Sequence, residues 1–106
     1  MPTTSYTYPL DPLNWIRVTI HIAHPRTVTG FTMQYEAVID GRTYPVVRYD
    51  SAHGYPHRDL LDVEGRNVGK LWLAGWDVTT ALDHARKDLR ANWRAYRADF
   101  IARMTP

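Results

Sequence analysis

Residues 31–50 read FTMQYEAVIDGRTYPVVRYD and have the pattern of a β-hairpin. Apolar and polar residues alternate up to Asp40-Gly41, and a second apolar segment follows this pair. Asp-Gly is a strong turn signal because glycine adopts the positive φ that a tight hairpin turn requires. The sequence therefore predicts two antiparallel strands joined at Asp40-Gly41.

Two registers are compatible with this turn, and they place different residues on the apolar face. A two-residue loop puts Arg48 on the same face as Met33. A three-residue loop with a glycine bulge puts Tyr49 there instead. The second register keeps apolar side chains together, and it is the one predicted. Pro45 has no N–H to donate, which predicts that its strand is an edge or lacks a partner at that point. The opposite, polar face then holds Thr32, Gln34, Glu36, Arg48 and Asp50.

The segments on either side of the hairpin predict the remaining elements. Residues 15–23 alternate with the period of two of a half-buried strand, and residues 70–73 predict a short strand. A helix is expected to begin at a cap formed by Asp77, Thr79 or Thr80. Its apolar positions recur every three or four residues, at Leu82, Ala85, Leu89, Trp93, Tyr96, Phe100 and Met104.

These patterns predict an α+β fold, with an antiparallel sheet of about four strands packed against one long C-terminal helix. A chain of 106 residues has the usual size of one domain. Residues 1–14 contain three prolines and predict an extended N-terminal arm. Residues 15–106 are then expected to form the single folded domain.

Composition excludes several classes of protein. The chain has no cysteine, so neither a disulfide framework nor a thiolate metal site can form. No apolar run approaches the roughly 18 residues that span a bilayer, and the N-terminus lacks the basic and apolar regions of a signal peptide. A cytoplasmic location and no membrane partner are therefore expected.

Positive charge is concentrated near the C-terminus. Lys plus Arg number 7 against 8 Asp plus Glu in residues 1–80, and 6 against 3 in residues 81–106. A basic helix face is most often solvated, but it also suits an acidic partner. The residues of this face are Arg86, Lys87, Arg90, Arg94 and Arg97.

Reactive side chains are densest in residues 48–59, which read RYDSAHGYPHRD. Gly54 and Pro56 disfavour a helix, so most of this segment is expected in a loop over residues 51–65 that leaves the end of the second hairpin strand. A dense group of His, Arg and Asp suits metal-independent cleavage of RNA. The candidate catalytic residues are His53, His57, Asp50, Arg48 and Arg58.

Each residue type has a role in that reaction. Histidine titrates near neutrality, so His53 and His57 suit the general base on a ribose 2′-hydroxyl and the general acid on the leaving oxygen. The guanidinium fork of Arg48 or Arg58 matches phosphate oxygens, and Asp50 would orient a histidine. This chemistry needs no cofactor. The first functional hypothesis is therefore a small ribonuclease-like toxin that acts on RNA.

Two other interpretations of the segment stay open. His53 and His57, with Asp50 or Asp59, would hold zinc, manganese or iron in a metal-dependent hydrolase, although their spacing matches no established ligand motif. Alternatively, these side chains only satisfy loop backbone groups, and the protein is a non-catalytic interaction module of a mobile element or phage. Its basic helix face would then bind an acidic protein partner. An exposed strand edge near Pro45 would also allow a homodimer.

The sequence resembles a known family over residues 15–101. The likeness is carried by VVRYDSAHGYPHRDLL, preceded by QYEAVIDGRTYP and followed by DLRANWRAYRADF. These segments are similar to a family of small bacterial and archaeal proteins of uncharacterised function, with the signature RYD-x-AHG-x-x-HRD. The resemblance implies the same order of strands and helix and carries no particular activity.

A shorter likeness connects residues 48–57 with toxins. The RYD tripeptide, followed by a proline and a histidine, is similar to the RYDN-x-PH segment of TumE-type toxins from toxin–antitoxin pairs. Here Ser51 replaces the asparagine, and Pro56-His57 lies further along the chain. The resemblance implies a small toxin that is neutralised by a DNA-binding antitoxin, with translation or RNA as its target.

Overall fold

The computed structural model describes residues 2–23, 26–51 and 55–104. These residues form six strands and one helix, in the order β1 (Thr3–Asp11), β2 (Asn14–Ala23), β3 (Thr27–Ile39), β4 (Arg42–Asp50), β5 (His57–Leu61), β6 (Asn67–Trp72) and α1 (Val78–Met104).

The strands form one antiparallel meander in which every strand pairs with its neighbours in sequence. Helix α1 packs on one face of this sheet, mainly against β3 and β4. The other face, called the open face below, is covered by no element of the described chain. The predicted α+β class and the long C-terminal helix are confirmed, but the sheet has six strands and not about four.

Both additional strands come from segments that were expected to lack regular structure. The N-terminal arm forms β1, and Pro9 is tolerated there because β1 is an edge strand. The amide of Ile22 donates to the carbonyl of Pro2, so the missing N–H of Pro9 falls on the side away from β2. The predicted loop over residues 51–65 contains β5. Its buried positions include the polar residues His57 and Asp59, so its sequence lacks the apolar alternation that predicts a strand.

The hairpin places its side chains on the predicted faces, but its loop length and the position of its bulge differ from the prediction. Ile39 lies opposite Arg42, so the loop has two residues, Asp40 and Gly41, with φ values of 51° and 79°. The three-residue loop with a glycine bulge is therefore wrong. Instead, the register shifts at Val46, because Tyr35 pairs with Val47 whereas Glu36 pairs with Pro45. This bulge restores the predicted arrangement, in which Tyr49 lies opposite Met33.

Pro45 precedes this bulge on a strand that is not an edge. Strand β4 lies between β3 and β5, but its pairing with β5 extends only from Val47 to Asp50. Pro45 is therefore unpaired on its β5 side, which is one of the two predicted outcomes.

The core lies between α1 and the covered face of β2, β3 and β4. Ring contacts connect the two layers, with 6.0 Å between the ring centroids of Tyr35 and Trp93 and 5.5 Å between those of Tyr44 and Phe100. The helix begins after Asp77, whose Oδ1 accepts a hydrogen bond from the amide of Thr80 at 2.7 Å, as expected for an N-cap. The fully buried helix residues are Ala81, Ala85, Leu89 and Phe100.

None of the described residues belongs to a helix that is both long and apolar enough to cross a membrane.

Deletion of Val46 should unfold the protein. Removing the bulged residue would force either Tyr44 or Tyr49 out of the core, because side chains alternate along a strand. The matched control is Val46→Ala, which keeps the bulge and should cost about 2 kcal/mol. Urea unfolding followed by circular dichroism measures both. A deletion variant no less stable than Val46→Ala would contradict the role given to the bulge.

Candidate functional site

The structure places three of the four described candidate catalytic residues on one face of the sheet and the fourth on the other. Arg48 and Asp50 lie on β4 with their side chains on the open face, and His57 lies opposite Asp50 on β5. Arg58 is the next residue on β5 and therefore faces α1. His53 lies outside the described residues.

Arg48 belongs to a polar row that crosses the open face. Consecutive members of this row lie directly opposite one another on neighbouring strands. Arg48 Nε donates to Gln34 Oε1 at 2.8 Å, and Lys70 Nζ lies 3.3 Å from Asp59 Oδ1. Members of the row therefore contact one another across the sheet, and Lys70 and Asp59 form its ion pair. The row consists of Arg17, Gln34, Arg48, Asp59 and Lys70.

Glu36, beside this row, is held as a carboxylate by its neighbours. It accepts hydrogen bonds from Trp15 Nε1 at 2.7 Å, from Arg17 Nε at 3.1 Å and from Gln34 Nε2 at 2.6 Å. Burial raises the pKa of Glu36, but these hydrogen bonds and the positive charge of Arg17 outweigh it and lower the pKa. Both carboxylate oxygens already have donors, so Glu36 is suited to a structural role.

His57 has little access to solvent. It is only 4% exposed, and its ring centroid lies 5.2 Å from that of Trp72. One ring nitrogen, Nε2, lies 3.6 Å from Asp59 Oδ2, and the other lies 3.2 Å from the carbonyl oxygen of Tyr55. Both nitrogens therefore already have neighbours within the protein.

Arg58 joins a second polar cluster, between the sheet and α1. The hydroxyls of Tyr49 and Tyr96 both donate to Asp88 Oδ2, at 2.7 and 2.5 Å. Arg58 donates to the Tyr96 hydroxyl at 3.2 Å, and Asn92 donates to Asp88 Oδ1 at 2.7 Å. These contacts bind one flank of α1 to β4 and β5. Sequence reasoning missed this cluster, since nothing in the spacing links β4 to the helix.

The Asp88 cluster shifts the pKa of its members in opposite directions. Burial raises the pKa of Asp88, but the hydrogen bonds from Tyr96, Tyr49 and Asn92 outweigh it and lower the pKa. Burial and the contact with Asp88 raise the pKa of Tyr96 to about 12. Asp88 is therefore an anion and Tyr96 a neutral donor at neutral pH.

The opposite flank of α1 carries a different arrangement. Four arginines recur there at intervals of four, four and three residues, which places them on one side of the helix, next to β1. Two half-exposed tyrosines of β1 border them. We call this surface the arginine seam, defined by Arg86, Arg90, Arg94, Arg97, Tyr6 and Tyr8.

Contacts within the seam place cations against aromatic rings. The guanidinium carbon of Arg90 lies 4.1 Å from the ring centroid of Tyr8, and that of Arg94 lies 4.4 Å from the ring centroid of Trp93. Arg86 and Arg90 share with the two tyrosines a cavity of about 10 Å³, the size of one water molecule. Arg94 and Arg97 line an open depression of about 400 Å³.

The seam arginines lack the direct carboxylate partners that four other cations of the described chain have. Within the described ranges, none of the four forms an ion pair with a carboxylate within 4.0 Å. By contrast, Lys87 on the same helix pairs with Asp83 at 3.0 Å, and Arg17 and Arg66 both have carboxylate partners. The seam therefore carries positive charge without a direct ion pair, and Asp11, which lines the same depression as Arg94, is the carboxylate whose charge attracts it.

Sequence reasoning found the basic helix face but not its complete composition. It included Lys87, which pairs with Asp83, and it did not connect the helix with β1. The alternation of Tyr6 and Tyr8 in the segment TSYTYP was a usable signal, because residues two apart on a strand share a face.

The described residues contain no group of side chains that would form the metal site of the metal-dependent hydrolase hypothesis. Across residues 2–23, 26–51 and 55–104, no three histidine, aspartate or glutamate side chains are grouped so that they could hold a metal ion. His53, the other histidine of the metal-dependent hypothesis, lies outside these ranges.

Replacing Asp88 with Asn should destabilise the protein at pH 7 by about 2 kcal/mol, since two tyrosine hydroxyls lose a charged acceptor. The pKa of Asp88 is lowered in the folded state, so its stabilisation is present above its usual pKa of 3.8 and is lost as the pH falls through the lower, folded-state value. The difference between wild type and variant should therefore shrink on acidification. Urea unfolding at pH 7 and pH 3, with Asp99→Asn as an exposed control on the same helix, tests this. A pH-independent difference would contradict it.

The model of the family described as a domain of unknown function, DUF7718, matches residues 1–105, which is nearly the whole chain. Neither the curated proteins nor the solved structures include a significant match. The family match covers both the strand β1 and the helix that form the arginine seam. The chain therefore belongs to the DUF7718 family.

Proposed function

We propose that this protein binds single-stranded RNA through the arginine seam. The observation that carries the proposal is the set of four guanidinium groups, without carboxylate partners in the described structure, beside two half-exposed tyrosine rings. The proposal shares its ligand with the ribonuclease hypothesis but moves the contact from the loop to the helix.

The residue types of the seam suit this ligand. Guanidinium groups bind phosphate oxygens through paired hydrogen bonds, and aromatic rings stack on bases without regard to sequence. Eleven residues of helix separate Arg86 from Arg97, a distance of about 16 Å, which accommodates roughly three to five nucleotides. Tyr6 and Tyr8 are 40% and 36% exposed, so part of each ring is available for stacking.

The open face supports this function less well. Its arginines and lysine are paired with Glu36, Gln34 or Asp59, so a phosphate would have to compete with contacts inside the protein. His57 is almost fully buried, and Arg58 lies on the other side of the sheet. RNA cleavage by the segment 48–59 and a toxin role with an antitoxin partner remain predictions that rest on the sequence.

The double variant Arg90→Gln, Arg94→Gln should bind a fluorescent oligonucleotide of about ten nucleotides at least roughly tenfold more weakly than wild type, because two phosphate contacts are lost. Fluorescence anisotropy measures the Kd. The matched control is Arg26→Gln, Arg66→Gln, which removes the same net charge from two turns outside the seam. Equal losses in both variants would indicate attraction by net charge alone and would contradict a defined seam.

Salt dependence gives a second readout in the same assay. With four phosphate contacts, log K should fall with log salt concentration with a slope of about −2.8. The slope should be shallower in the seam variant and unchanged in the control. Binding of DNA and RNA oligonucleotides with equal affinity would remove the preference for RNA, and binding of an acidic peptide instead of either would favour the interaction module.

The RNA should be recovered intact after incubation with saturating protein, because the seam contains no general acid or base that titrates near neutrality. Gel electrophoresis of end-labelled RNA checks this. Cleavage that is lost in a folded His57→Ala variant, with binding retained, would overturn this expectation and support the ribonuclease hypothesis.

A further inference from the structure

Most exposed apolar side chains of the described chain lie around one edge of the sheet, at strand β6. Nine large apolar or aromatic residues are well exposed, and six of them fall between residues 55 and 76, around the edge strand β6. A natural edge strand is usually protected by charge, proline or a covering element. The six residues are Tyr55, Val63, Val68, Leu71, Trp72 and Trp76.

The backbone of β6 also presents hydrogen-bonding groups to the outside. The amide of Leu73 donates to the carbonyl of Pro56 at 2.9 Å, so the backbone groups of Leu73 and of Leu71 point towards β5. Because these groups alternate in direction along an antiparallel strand, the N–H and C=O groups of Lys70 and Trp72 point away from the sheet. Strand β6 can therefore accept another antiparallel strand.

We propose that β6 pairs with β6 of a second copy of this chain, about a two-fold axis at Leu71. In this register Lys70 lies opposite the partner's Trp72, and Trp72 lies opposite the partner's Lys70. The outward backbone groups of these residues then form four hydrogen bonds across the axis. The interface is isologous and closes as a dimer.

The side chains are self-complementary in this register. Lys70 Nζ already lies 4.9 Å from the ring centroid of Trp72 in one chain, and pairing would place each Lys70 beside a second indole ring. Leu71, which is 43% exposed, would contact its own copy on the α1 side of the sheet. A shift of the axis to Lys70 would instead place two lysines directly opposite each other, which disfavours that register.

The position of the interface makes it independent of RNA binding. Strand β6 and the arginine seam lie at opposite edges of the sheet, since the seam borders β1. A dimer through β6 therefore leaves both seams accessible. The inference goes beyond the proposed function and does not depend on it.

Sedimentation equilibrium tests the dimer. Wild type should show twice the chain mass of 12.3 kDa, and Leu71→Lys should show the chain mass, because two lysines would then meet at the axis. Thr7→Lys, which adds the same charge to the edge strand β1, should remain dimeric. Circular dichroism confirms that each variant is folded. A monomeric wild type at concentrations up to the millimolar range, or an equal loss of the dimer in Thr7→Lys, would overturn the proposal.

Cross-linking identifies the register. The chain has no cysteine, so Leu71→Cys introduces a single thiol. Residues that face each other in a non-hydrogen-bonded antiparallel pair have Cα atoms about 4.5 Å apart, within the range that a disulfide spans. Leu71→Cys should form a disulfide-linked dimer on mild oxidation, and Thr7→Cys should not. A dimer in solution without cross-linking at residue 71 would contradict the register, and RNA binding measured on the same variants reports separately on the seam.

Discussion

The two-to-one pairing at Val46 determines which side of the sheet the later residues of β4, and those of its partner β5, face. The tight turn at Asp40-Gly41 would by itself send Arg48 into the core, because side chains alternate strictly along a strand. One extra residue on β4 shifts this alternation, so Val47 and Tyr49 enter the core and Arg48 faces outward. Pairing with β4 then fixes the faces of β5, so His57 lies on the open face and Arg58 faces α1.

The register of the strands also explains how polar side chains on the open face find partners. Helix α1 covers only one side of the sheet, so polar side chains on the other side must find partners among themselves or in solvent. Neighbouring strands supply them in register: Glu36 is bound by donors from β2 and β3, and Asp59 contacts Lys70 of β6. Cross-strand pairs of this kind contribute about 0.2–1 kcal/mol each, and directly opposite partners favour one register. Reactive residues that are close together in sequence can therefore serve as cross-strand partners within a sheet.

Local periodicity made part of the fold predictable from sequence. Residues 15–23, the hairpin and the helix all have strong repeats, and each is present. Strand β5 was missed because His57 and Asp59 occupy its buried positions, so its pattern does not resemble an apolar alternation. The face of Arg58 depended on that missing strand, so the sequence did not predict that Arg58 lies on the opposite side of the sheet from Arg48, Asp50 and His57. The two sides of the arginine seam are about 80 residues apart in sequence, and only tertiary packing joins them.

The two flanks of α1 contribute differently to folding. Asp88 fixes one flank through hydrogen bonds with β4 and with its own helix, and the apolar stripe fixes the centre. The arginine flank adds no ion pair in the described structure, and like charges four residues apart on a helix are destabilising by about 0.2–0.5 kcal/mol per pair. Arg86, Arg90 and Arg94 have this spacing. The cation–π contacts of Arg90 with Tyr8 and of Arg94 with Trp93 offset this repulsion within the protein, and a bound polyanion would remove it.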